Sequence, residues 1–326
     1  MQQAPVIYVG TVGQGLWRST DSGESFQRTS RGMFVECDVR ALAADPRSPP
    51  VLYAGTSEGL YRSENAGDTW TRIESPMNDL VVWSILLLPT NPDTIIVGTR
   101  PGRLFRSTDA GQTWQQLAAQ IEQECPAIIY TRITTIHADP RQPQRLWVGA
   151  EIDGVWRSDD LGDSWTRHAN GLSSLDIHGL AIIPAADGSA RIVATTNNDL
   201  NVSTDEGATW VPQHANERFT HGYYRGLVQH AQRPEVLFLG HGDGPPGTIG
   251  SAWRSDDVGN SWQMLPLPTV PNSTLWDYAV HPADPERIYA YSIAGQVFES
   301  LDGGRQWRKL PREFGEIRAL LWRPSA

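Results

Sequence analysis

Four arginines, Arg40, Arg132, Arg225 and Arg318, stand at the start of strand-like runs in four widely separated segments of the chain. A guanidinium is a planar fork of N–H donors that matches a carboxylate, phosphate or sulfate. Brought together, four of them make a receptor for an anion. Aligning the runs on the turns that follow them gives one position per segment: Arg40, Trp83, Thr134, His178, Arg225, Trp276 and Arg318. Trp83 and Trp276 offer faces that stack on a sugar ring or plug a channel. The alternative use of the arginines is internal, in ion pairs with Asp38, Asp176, Asp277 and Glu316 of neighbouring segments.

These side chains need equivalent strands to carry them, and the alternation around them supplies the strands. One residue earlier in each segment stand Val39, Val82, Ile133, Ile177, Tyr224, Leu275 and Ile317; two earlier stand Asp38, Val81, Arg132, Asp176, Tyr223, Thr274 and Glu316. Period two is the signature of a strand with one buried side. Each segment continues in the same way. In the second, Val39 to Ala44, Val51 to Thr56, Leu60 to Ser63 and Thr69 to Ile73 are four short β-type runs separated by Pro, Gly and Asp turns, with no helical periodicity.

A turn of the form Ser-x-Asp-x-Gly-x-Thr/Ser-Trp closes the third run of every segment. Its Asp or Asn falls at positions 21, 65, 109, 160, 205, 257 and 302, so the intervals are 44 to 52 residues. Four strands in such a period, repeated seven times, predict an all-β, seven-bladed β-propeller of four-stranded antiparallel blades. The run Glu316 to Pro324 matches a first strand with nothing after it, and the chain opens on a second strand at Val6. The C-terminal strand is therefore expected to join the N-terminal blade and close the ring. The expected blades are 316–324 with 6–28, 38–73, 81–117, 131–168, 176–213, 223–265 and 274–310, forming a single domain over 1–326.

The repeated turn resembles the Asp-box, or BNR repeat, of sialidases, xyloglucan-active glycoside hydrolases, sortilin-type receptors and a photosystem II assembly propeller. Asn65 replaces the Asp in the second copy, Phe26 the Trp in the first, and Gln306 the Thr/Ser in the seventh. The resemblance implies that the box aspartates are structural and lie opposite the ligand face. It also implies a comparison with sialidases, which hold a carboxylate with several arginines and pair a Tyr nucleophile with a Glu. On that comparison Tyr223, Tyr224 and Glu316 are candidate counterparts, with Asp38 or Asp277 as the acid. Xyloglucan-active members place their catalytic aspartates between two propellers, a cleft that one propeller lacks.

Composition narrows the partners. The 326 residues carry a net charge of −10 and are 39% hydrophobic, which disfavours nucleic acid and anionic membranes. No apolar stretch approaches the ~18 residues of a membrane span. The first residues lack the basic and apolar regions of a signal peptide, so the expectation is either a cytoplasmic location or a leader already removed. Cys37 and Cys125 are not expected to pair. His178, His221 and His241, with Asp153 and Asp243, reach toward the expected channel mouth, but no short ligand spacing ties them together. No metal and no cofactor are assigned. Longer loops at 118–130 and 240–247 decorate the same rim. Together these features predict a monomeric binding or assembly module that takes an anionic small ligand, a glycan or an acidic protein segment at a mouth built from Arg40, Arg132, Arg225, Arg318, Trp83, Trp276 and His178. The alternative is a sialidase-like glycoside hydrolase acting on acidic glycans.

Overall fold

The computed structural model describes residues 4–126 and 128–325. Met1 to Gln3, on which the reading of the N-terminus bears, and Ala127 of the 118–130 loop lie outside them. Seven four-stranded antiparallel sheets form the blades of a β-propeller, and the described residues contain no α-helix. Blade one combines Ile317–Arg323 with Val6–Thr11, Gly15–Ser19 and Gln27–Arg28. The C-terminal strand thus closes the ring on the N-terminal one, Val6 pairing with Arg323 and Val9 with Leu320. The loop 118–130 adds a separate two-stranded hairpin, Glu124–Cys125 with Ile129–Tyr130. In blade six Gly240, His241 and Gly242 belong to the strand Leu237–Gly242, and Asp243 ties down the loop beyond it by accepting the backbone N–H of Thr248 at 2.8 Å.

The seven apolar residues flanking the aligned positions, Val39, Val82, Ile133, Ile177, Tyr224, Leu275 and Ile317, are all completely buried. Each lies between one blade and the next, and the approach is so close that the facing residue is usually glycine. A Cβ on Gly98 of blade three would stand 2.4 Å from Cβ of Ile133 in blade four. Gly10, Gly55, Gly149 and Gly240 meet Val39, Val82, Ile177 and Leu275 in the same way.

Around the outside, the repeated turn is held by its own side chains. In blade one Asp21 accepts the Ser25 backbone N–H at 3.0 Å and the Ser25 hydroxyl at 2.6 Å, while Ser19 Oγ accepts the Gly23 N–H at 2.9 Å. Two successive residues then take left-handed φ, Ser22 at 61° and Gly23 at 85°, the second a conformation that suits glycine. Asn65 keeps the geometry in blade two, accepting the Thr69 N–H at 2.9 Å. Where the Trp is present its ring packs toward the preceding blade: Trp70 donates to the Thr29 carbonyl at 2.9 Å.

Two predictions follow from this packing. Hydrogen bonds, first from the Ser25, Thr113, Ser164 and Thr209 hydroxyls respectively, hold the Asp21, Asp109, Asp160 and Asp205 carboxyls down at about 2, against an ordinary 3.8. Groups lowered on folding contribute stability above their unfolded value and lose it as pH falls through the folded one. Melting temperature should therefore drop between about pH 4 and pH 2, with the repeated turn of blade two, which carries Asn65, making no contribution to that drop. Gly98→Ala should destabilise the ring by about 1–3 kcal/mol, read as a denaturation midpoint, because Ile133 has no room to move away.

Candidate functional site

Each functional side chain is aimed by a defect in its strand. The innermost strand of every blade slips register with the next strand at one common level, where it carries an extra residue; blade four has a second slip farther along, between Ala138 and Asp139. The slips fall between Val39 and Ala41, Val82 and Ser84, Ile133 and Thr135, Ile177 and Gly179, Leu275 and Asp277, and Ile317 and Ala319; in blade six the bulge holds Arg225 and Gly226. The residues lifted out of register are Arg40, Trp83, Thr134, His178, Trp276, Arg318 and Arg225. A bulge bends its strand and re-aims the side chain it carries. Here the seven bulged residues line one central cavity of about 240 Å³, joined by Asp277 and Tyr291 of blade seven.

Around this cavity the tryptophans act as plates between arginines. Trp83 of blade three receives Arg40 of blade two and Arg132 of blade four, each guanidinium carbon 4.7 Å from the ring centre. Trp276 of blade seven receives Arg225 of blade six at 4.1 Å and Arg318 of blade one at 4.6 Å. Stacking of this kind contributes about 0.5–2 kcal/mol per contact. It also leaves the N–H edges of the guanidinium free.

Three of the four arginines have a carboxylate beside them. Arg40 reaches Asp38 at 2.6 Å and Arg318 reaches Glu316 at 2.5 Å. The pairing expected across neighbouring blades is instead made locally, with the residue that immediately precedes the arginine's own strand. Arg132 lies 2.6 Å from Glu151, its cross-strand partner within blade four. Glu151 was invisible to sequence reasoning, because only the strand register brings it to Arg132. Arg225 is buried and has no ion pair among the described residues. Burial, and then the neighbouring Arg225 and Arg40, press the Arg318 guanidinium below its ordinary value against the pull of Glu316. Burial does the same to Arg132, with Arg100 and Arg225 adding to it.

The remaining candidates are dispersed. Tyr224 is in the core, its hydroxyl donating to Asn216 at 2.8 Å. Tyr223 packs against the His178 ring at 5.0 Å, and burial raises its phenol. Asp38 and Glu316 are occupied by their arginines, in blades two and one. Asp277 lines the cavity, accepts the Tyr278 N–H at 2.8 Å, and is pushed up to about 6, chiefly by desolvation. His241 is not at the mouth: its Nδ1 is 2.8 Å from the Ser251 hydroxyl and its Nε2 is 2.8 Å from the His221 carbonyl. Asp153 is taken by Arg167 at 2.9 Å and Trp156 at 3.1 Å. His178 is differently placed, with Nδ1 2.7 Å from the Tyr224 carbonyl and Nε2 3.3 Å from Asp176. Burial works to raise the Asp176 carboxyl, but His178, Arg225 and Arg132 hold it below its ordinary value.

Chemically, the cavity wall is rich in hydrogen-bond donors, with one carboxyl poised near neutrality. A carboxyl raised on folding from 3.8 to about 6 stabilises the fold fully below its unfolded value, and that stability is lost as pH rises through the folded one. Asp277→Asn removes the loss. The variant should gain on the wild type between about pH 4 and pH 6, by up to about 3 kcal/mol, measured as the difference in unfolding free energy across that range.

Residues 58–152 match the family model "Sortilin, neurotensin receptor 3". A xyloglucanase of Paenibacillus sp is 27% identical over 208 residues, covering 53% of this chain and 20% of the relative; one of Hypocrea jecorina is 25% identical over 207 residues, covering 52% and 24%. The chain thus spans about a quarter or less of the length of these curated relatives. Among solved structures, a GH74 xyloglucanase from Xanthomonas campestris superposes with a TM-score of 0.67 at 18% identity, over 99% of this chain and 52% of that one. YCF48 bound to D1 peptide superposes at 0.62 and 15% identity, over 89% and 90%. By fold, the chain is a seven-bladed β-propeller.

Proposed function

We propose that this propeller is a binding module whose central cavity receives an anionic group, foremost a carboxylate carried by an acidic protein segment. The observation that carries the reading is the donor surplus around the cavity. Asp38 and Glu316 each engage one nitrogen of their arginine, Nη2 of Arg40 and Nε of Arg318, and among the described residues Arg225 has no carboxylate in ion-pair contact. The tryptophan plates hold the four forks in place, so a ligand does not have to order them. A cavity of about 240 Å³ is smaller than the ~300–1,000 Å³ typical of small-molecule pockets. It suits a carboxylate-bearing end rather than a whole oligosaccharide. The likeness to YCF48, solved with D1 peptide and covered over 90% of its length, supports the same reading.

Asp277 favours a second reading, a glycoside hydrolase acting on acidic sugars. A cavity carboxyl near 6 is suited to general acid work, with Glu316 the second carboxylate, Asp38 an alternative acid, and Tyr223 or Tyr224 the nucleophile by comparison with sialidases. Turnover of sialosides or uronides that disappears in Asp277→Asn supports it. The resting states of Tyr223 and Glu316, one raised by burial and the other held by Arg318, make it the weaker of the two.

The binding reading is tested by fluorescence anisotropy with labelled peptides of matched length and differing terminal charge. Acidic peptides should bind and neutral ones should not, with affinity falling as salt rises. Arg225→Ala with Arg318→Ala should weaken binding by roughly 10-fold or more, the scale of losing charge-assisted hydrogen bonds. Equal binding of neutral peptides, or unchanged affinity in the double variant, contradicts the reading.

A further inference from the structure

We propose that Glu151, Asp176 and His178 form a binding site for a divalent cation of the zinc type, at the edge of the central cavity between blades four and five. The three side chains offer one ligand atom each, Glu151 Oε2, Asp176 Oδ1 and His178 Nε2, and these atoms all lie within 4.8 Å of one another. All three are shut off from solvent and have no hydrogen-bond partner. The His178 side chain is completely buried, and those of Glu151 and Asp176 are 9% and 13% exposed. Glu151 Oε2 faces Arg132 Nε in an ion pair, while His178 Nε2 and Asp176 Oδ1 are buried without a hydrogen bond, which costs free energy.

The tautomer of His178 sharpens this. Its Nδ1 stands 2.7 Å from the Tyr224 carbonyl, which only accepts, so Nδ1 carries the hydrogen. In the neutral ring Nε2 is then a lone pair, and it faces Asp176 Oδ1 at 3.3 Å. A lone pair and a carboxylate oxygen at that distance repel unless a proton or a metal cation lies between them, and a metal cation meets Glu151 as well. An imidazole whose outer nitrogen donates to a backbone carbonyl is the usual arrangement of a metal-ligating histidine. Ligands ~2.1 Å from a tetrahedral centre stand ~3.4 Å apart, a spacing the His178–Asp176 pair already has. One imidazole with two carboxylates suits zinc rather than magnesium or calcium, which favour oxygen alone. His178 also lines the cavity, which gives the cation an approach.

Arg132 is the competitor. Its Nε lies 2.6 Å from Glu151 Oε2 without the alignment of a hydrogen bond, and Arg225 and Arg100 add positive charge nearby. The guanidinium occupies the place on Glu151 that the cation takes, so loading the site turns Arg132 away from that oxygen.

The inference does not rest on the anion-binding reading, and its test needs no anionic ligand. Titrating the full chain, first stripped with chelator, with Zn²⁺ by isothermal calorimetry should give one saturable site and a higher melting temperature. The near-isosteric Asp176→Asn and Glu151→Gln variants, checked as folded by circular dichroism, should bind at least ~10-fold more weakly. Arg132→Gln should bind more tightly than the wild type. Co²⁺ in place of Zn²⁺ should give a visible absorption band of low coordination in the wild type and lose it in Asp176→Asn. Absence of saturable Zn²⁺ binding by the wild type, or affinity unchanged in both isosteric variants, overturns the proposal.

Discussion

Successive blades of this propeller meet where the bare backbone of a glycine takes a buried residue of the next blade, and the rest of the molecule follows from how close that contact is. At five of the seven junctions a glycine of one blade's second strand lies against the first strand of the next, where a methyl group would stand 2.4–2.8 Å from its neighbour. The facing residues are the completely buried apolar set from Val39 to Leu275. The first strand bulges at this same level in every blade. Close approach fixes the radius of the ring, and the bulge decides which single side chain per blade points down the axis. A cavity of about 240 Å³ is what remains when seven such side chains fill the centre.

What fills it is a charge arrangement that is tight but incompletely neutralised at the level of individual donors. Three guanidinium groups line so small a space and a fourth, Arg132, stacks on Trp83; they repel one another, and two tryptophan faces and three carboxylates hold them together. Each tryptophan takes one arginine from either neighbouring blade, so the stacks also tie blades two to four and six to one across the ring. The carboxylates are local, two just ahead of the arginine's own strand and one on the adjacent strand. A carboxylate bound by one edge of an arginine leaves the other edge for a ligand, which is how a mouth rich in ion pairs still has donors to offer.

The repeat made the fold readable. Seven turns at near-constant spacing and period-two alternation before each were enough to place the strands, the closing C-terminal strand and the buried residue beside every channel position. The ring of Arg40, Trp83, Thr134, His178, Arg225, Trp276 and Arg318 was legible for the same reason. Less could be read of what those side chains do to one another. A bulge leaves no mark on a hydrophobic pattern, because the inserted residue is itself the polar or aromatic one. The arginine–tryptophan stacks depend on which blades are neighbours and at what angle, and Glu151 is joined to Arg132 only by the register of blade four. His241 looked like a mouth residue because its loop is rich in glycine, yet it lies within a strand with both ring nitrogens engaged. Asp277 was visible as a carboxylate but its raised proton affinity was not, since that comes from desolvation in the assembled cavity.

The most direct test of an anion-receiving mouth is a crystal structure of the protein soaked with a short peptide ending in acidic residues. The result expected is density for a carboxylate inside the central cavity, within charge-assisted hydrogen-bond distance of Arg225 and Arg318 (~2.7–2.9 Å), with Trp276 still stacked between them. An empty cavity with peptide bound elsewhere on the blades, or a neutral peptide occupying the same place equally well, would contradict it.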